Sequence, residues 1–145
     1  MATAERRADV VWRGDLPTGS GSLDLASSGA LKGVNISWAT RTESPDGDTS
    51  PEELIAGAHA GCYAISLSNV LAEGGNEAEQ LDVSATCTFD VGSIKITTVV
   101  LDVRGKVPGL DEEGFRSAKE EAEQACPVSN ALRGNVDIQV NATLA

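Results

Sequence analysis

A chain of 145 residues is long enough to bury a real core but short for two, so one domain spanning residues 1–145 is expected. Its 22 acidic and 11 basic residues give a net charge of −11, which repels phosphate backbones and anionic lipid and argues against nucleic acid or a membrane as partner. The opening MATAERRADVVWRG has no apolar signal core, and no stretch approaches the roughly 18 consecutive apolar residues of a membrane span, so the cytoplasm is the expected location.

In chain order, ADVVWRG, SGSLDLASS and KGVNISWATRT read as short strands, the last alternating Val34, Ile36 and Trp38 against polar neighbours. Turn clusters LPTGSGS (16–22) and ESPDGDTS (43–50) punctuate them. The helix SPEELIAGAHAGCYAISLSNVL follows: Ser50 can cap it, Pro51 suits the first helical position, and Glu53 completes an S-x-x-E capping box. Gly74 and Gly75 end it, giving about 23 residues and a rod of about 34 Å. Ala56, Gly57, Ala58, Ala60 and Gly61 line its first half, small residues that cost helix propensity unless another backbone comes close. The simplest partner is a second copy of the same helix across a twofold axis; a partner within the chain is the alternative.

Beyond the helix, LDVSATCTFDV alternates, with Leu81, Val83, Ala85, Cys87, Phe89 and Val91 on one face. In IKITTVVLDVRGKV the apolar phase switches between Ile96 and Val99, which predicts a bulge. DEEGFRSAKEEAEQA places Phe115, Ala118, Ala122 and Ala125 at helical spacing, opposite an acidic face. A last strand, VDIQVNATL, alternates Val136, Ile138, Val140 and Ala142. Strands, helix, strands, helices, without regular βαβ alternation, predict an α+β fold with mostly antiparallel pairing.

Three cysteines are an odd number for a disulfide framework, so thiol chemistry is the better reading. Cys126, ahead of Pro127 in QACPVSNAL, sits where a helix starts, and free N–H groups there favour a thiolate. Cys62 is mid-helix on an apolar face, has no such help, and needs a cation. Arg41, just before the ESPDGDTS turn, is the best located by sequence, and a nearby guanidinium lowers an acid's pKa by about 1 to 3 units. Cys87 belongs to a strand's buried face, where a thiol is inert, and is left out of the site.

The order R-T…SPEELIAGAHAGC…ACPVSNAL resembles the OsmC/Ohr family, the osmotically inducible and organic hydroperoxide resistance proteins, over nearly the whole chain. WRGDLPTGSG and the AHAGC form of the cysteine motif look like the OsmC branch. The resemblance implies an OsmC-like fold, with mostly antiparallel sheets around a long central helix, and an intertwined homodimer. It also implies a thiol-dependent peroxidase for organic hydroperoxides, with Cys62 peroxidatic, Cys126 resolving, Arg41 the active-site arginine and Glu52 its carboxylate partner. An external thiol, for instance a lipoyl-type dithiol, reduces the resulting disulfide, and no bound cofactor is required.

Two other readings compete. His59, the only histidine, lies three residues before Cys62, and Cys126 could add a third ligand for a metal, a weak set without a second histidine or a C-x-x-C pair. A non-catalytic dimeric stress protein using its thiols only structurally is the other.

Overall fold

The computed structural model describes residues 2–145, which divide into two compact units, the first ending at Leu54 and the second running Ile55–Ala145. The first unit holds an antiparallel sheet of three strands, β1 (Asp9–Arg13), β2 (Ser20–Asp24) and β3 (Val34–Ile36), in that spatial order. Trp12 pairs with Gly21 and Gly21 with Ile36. A Cβ on Gly21 would lie 2.9 Å from Ile36 and 3.0 Å from Trp12, so glycine lets those two side chains meet over the strand. The alternation expected to run through Trp38 stops at Ile36. Ser37 and Thr40 form a reciprocal capping box, which starts the short helix α1 (Trp38–Thr42) and turns Trp38 out of the strand.

The expected long helix is present as α2 (Pro51–Glu73), 23 residues without interruption. Ser50 Oγ accepts from the Glu53 N–H at 3.1 Å, as a cap should. The return arm of the box differs: the Glu53 carboxylate accepts from the Thr49 hydroxyl at 2.6 Å. At the far end, Gly75 N–H donates to the Ala72 carbonyl and Asn76 N–H to that of Leu71, a Schellman closure with Gly75 at φ 87°. Among the described helices α2 alone is long and apolar enough to cross a bilayer, a property it shares with core helices of water-facing proteins. Its Tyr63, Leu67 and Leu71 are buried in the core of the second unit.

That core is floored by a second sheet, ordered β4 (Gln80–Asp90), β5 (Lys95–Lys106) and β6 (Asp137–Leu144). Strands β4 and β5 are antiparallel, and their register slips between Thr88 and Phe89, which leaves Thr97 as the extra residue of the predicted bulge. Strand β6 runs parallel to β5, reached by a crossover through α3 (Glu112–Ala125) and α4 (Pro127–Leu132). Three of the four strand pairings are thus antiparallel, as the α+β expectation required. Helix α3 buries Phe115, Ala118 and Ala122 beside Leu101 and Val103 of β5, while Ala125, expected on the same face, is exposed.

Candidate functional site

Within the second unit, two helices meet through their sulfur atoms. Cys62 lies midway along α2 and is half-buried; Cys126 is fully buried and belongs to no helix, closing α3 and opening α4. This is the helix start that the proline after Cys126 predicted. Cys126 Sγ and Cys62 Sγ are 3.2 Å apart, and both are thiols. The Ser129 N–H reaches Cys126 Sγ at 3.5 Å, so the sulfur caps the helix that Pro127 begins. Burial pushes the Cys62 thiol above its ordinary value and the adjacent Cys126 adds to the rise; the Val128 N–H and the Ser66 hydroxyl act against it.

A second contact joins the same two helices. His59 Nε2 and Ser129 Oγ lie 2.7 Å apart, and both residues are wholly buried. Burial holds the His59 imidazole below its ordinary value, against the pull of the Glu123 charge, and Nδ1 has no hydrogen-bond partner. Ser129 escaped the sequence reading. The signal that could have found it is spacing: His59 precedes Cys62 by three residues, and Ser129 follows Cys126 by three. Among the described residues no three His, Cys, Asp or Glu side chains gather as a metal requires, and Nε2 of His59 is engaged by the serine. Cys87 sits on the half-buried face of β4, outside the sulfur pair.

The remaining predicted residues come together in the first unit. Arg41, in the last turn of α1, donates from Nε to Glu52 Oε1 at 2.8 Å, and its NH2 group approaches the same oxygen at 2.7 Å. Glu52 is 6% exposed, and its Oε2 has no hydrogen-bond partner. The guanidinium also lies 5.9 Å from the centre of the Trp38 ring, within cation–π range. A cleft of about 230 Å³ opens beside it, lined by Trp12, Leu16, Ile36 and Trp38 as well as Arg41.

Fold and site define a class of protein: an α+β chain that sets a thiol from the middle of a long helix against one at the start of a short helix. The OsmC-like protein family model matches residues 44–141, and the chain belongs to that family. It is 33% identical to peroxiredoxin OsmC of Escherichia coli K12 over 138 residues, covering 94% of this chain and 95% of the relative. It is 33% identical over 91 residues to an organic hydroperoxide resistance protein of Xanthomonas axonopodis pv. citri, 62% of this chain and 63% of that one. Among solved structures, the organic hydroperoxide resistance protein OhrB of Bacillus subtilis superposes with a TM-score of 0.70 at 27% identity, over 94% of this chain and 98% of that one. The OsmC-like fold expected from the motifs is the fold observed.

Proposed function

We propose that the chain is a thiol-dependent peroxidase that reduces organic hydroperoxides to alcohols, with Cys62 peroxidatic and Cys126 resolving. The observation that carries this reading is the 3.2 Å separation of the two sulfurs, close enough to contract to a disulfide of about 2.05 Å by a small shift. Similarity to a peroxiredoxin and to organic hydroperoxide resistance proteins supports it.

The chemistry follows in two steps. The Cys62 thiolate attacks the distal peroxide oxygen and the O–O bond breaks; the alkoxide leaves, takes a proton and departs as alcohol. Cys62 is now a sulfenic acid, oxidised by two electrons. Cys126 sulfur attacks the sulfenic sulfur, and the hydroxyl leaves with the Cys126 proton as water, giving the disulfide. An external dithiol, lipoyl-type among the candidates, returns two electrons by exchange. The cytoplasm, with its reducing thiol pool, suits such a cycle.

Arg41, oriented by Glu52, supplies in this reading the positive charge that the half-buried Cys62 thiol lacks. Glu52 and Cys62 are ten residues apart on an uninterrupted helix, about 15 Å along its axis, so no side chain bridges them. An antiparallel second copy of α2 brings the Glu52 end of one chain to the Cys62 of the other, in a homodimer. Added Cβ atoms on Gly57 and Gly61 would touch nothing within 4 Å, and Ile65 on the same face is 74% exposed. The small residues of α2 are therefore unexplained by packing within the chain and suit a helix from a partner copy. The apolar cleft beside Arg41 suits a bulky organic hydroperoxide better than hydrogen peroxide.

The test combines a thiol titration with three variants. Two thiols should be lost per organic hydroperoxide consumed. Cys62→Ser should abolish turnover, Cys126→Ser should form one sulfenic acid equivalent and stall, and Cys87→Ser should turn over as wild type. A Cys126→Ser chain that leaves no sulfenate on Cys62 after peroxide overturns the assignment of roles, and thiols that survive peroxide favour the structural reading.

A further inference from the structure

Two rungs connect α2 to the start of α4. One is the sulfur pair, Cys62 and Cys126; the other is His59 Nε2 against Ser129 Oγ at 2.7 Å. On α2 the two attachment points are one turn apart and share a face. On α4 they are the capping residue and the third helical residue. We propose that His59 and Ser129 are positioning residues, a redox-silent clamp that holds Cys126 in reach of Cys62 while Cys62 carries an oxygen atom. The proposal rests on the peroxidase reading and deepens it by naming what sets the fate of the sulfenic acid.

The two rungs respond differently to oxidation. The sulfur rung changes length at every step: an oxygen is inserted on Cys62, then lost as a bond forms between the sulfurs. The imidazole and hydroxyl of the second rung take no part in electron transfer, and both are fully buried, so solvent does not compete for the bond. Ser129 transmits the restraint directly, because the residue whose Oγ meets His59 also points its N–H at Cys126 Sγ, 3.5 Å away. The neighbouring latch, Arg133 at the end of α4 to Glu123 of α3 at 2.7 Å, leaves the α2 side untouched. Apart from the Cys62 sulfur, which the Val128 N–H reaches, His59 is thus the side chain through which α2 meets the first turn of α4.

A sulfenic acid on Cys62 has two exits. Attack by Cys126 gives disulfide and water; attack on a second hydroperoxide gives sulfinic acid and a second alcohol. The first is intramolecular, and its advantage is the effective concentration of Cys126, which falls steeply when the reacting groups are held less firmly. Loosening the clamp should therefore slow resolution while leaving the first oxidation of Cys62 alone.

The experiment uses the full-length chain and the variants Ser129→Ala, His59→Gln and Ser129→Thr. In single turnover with an alkyl hydroperoxide, Ser129→Ala and His59→Gln should form sulfenate at the wild-type rate and disulfide roughly tenfold more slowly. Intact-mass analysis should show sulfinic acid at peroxide excesses that leave wild type as disulfide. Ser129→Thr, which keeps the hydroxyl, should restore most of the resolution rate. A second readout needs no peroxide: in a glutathione redox buffer the equilibrium constant for closing the Cys62–Cys126 disulfide should fall about tenfold in the first two variants. Wild-type resolution and wild-type closure in both folded variants would overturn the clamp. Wild type that keeps both thiols after the alkyl hydroperoxide would overturn the peroxidase reading instead, and the glutathione equilibrium would still decide the clamp.

Discussion

Burial leaves Cys62 a poor nucleophile in isolation. Its thiol is pushed up by desolvation first and by Cys126 second, and two hydrogen bonds only partly offset them. The rate of peroxide attack follows the thiolate fraction, so below the thiol pKa each unit of further increase costs about a factor of ten, and well above it nothing. If Arg41 supplies the missing charge, Arg41→Ala should slow single-turnover oxidation at least about tenfold at pH 6 and much less at pH 9, with Arg41→Lys partly rescuing. Alkylation of Cys62 across the same pH range reads the thiolate directly; an unmoved titration would assign activation to another cation. Both cysteines and the Arg41–Glu52 pair could be read from the chain because each sits beside a local signal: a proline, a cap or a motif. Ser129 has no such local signal beyond its three-residue spacing from Cys126, since its partner His59 is 70 residues away and the bond exists only once α4 docks on α2.

At the scale of elements, side-chain alternation foretold which faces are buried but not where a strand yields to a helix. Trp38 continued the period of Val34 and Ile36, yet the Ser37–Thr40 capping box decided the backbone. The direction of β6 was hidden for another reason. Its alternation is the same whether its neighbour runs parallel or antiparallel, and only the crossover through α3 and α4 selects parallel. One strand glycine makes a sharp prediction. A Cβ on Gly105 of β5 would lie 2.7 Å from the ring of Phe115, which is 1% exposed, and 3.2 Å from Leu81. Alanine favours a strand over glycine by roughly 0.5–1 kcal/mol, but overpacking a filled core costs about 1–3 kcal/mol. Gly105→Ala should therefore lower stability in urea unfolding, and pairing it with Phe115→Leu should recover part of the loss.

For the whole molecule, His59 couples stability to pH. It is the only histidine, and its folded pKa lies below the ordinary 6.5, so under that pH the unfolded chain takes up a proton that the native chain resists. The stability of the neutral buried form is complete above about pH 6.5 and declines as pH falls, by at most about 1.4 kcal/mol per unit. Urea unfolding of reduced protein between pH 5 and 7.5 should show that slope, and His59→Gln should flatten it; parallel slopes would remove His59 as the cause. The proposed dimer is tested by complementation. If Glu52→Gln impairs activity, mixing it with Cys62→Ser should restore roughly a quarter of wild-type sites under random pairing, because half of the dimers then hold one complete site. No recovery despite demonstrated subunit exchange would confine Glu52 to its own chain. The parallel crossover also has a consequence during synthesis. Strand β6 leaves the ribosome after both cysteines, yet it supports α3, where the Lys119 ammonium donates to the Val140 carbonyl at 3.3 Å. Cys62 and Cys126 are thus translated before the strand that completes the support of α3, and a nascent chain carries both thiols unsheltered until β6 pairs with β5. Ribosome stalling between α4 and β6 would therefore hold Cys62 and Cys126 open to cross-linking with other thiols.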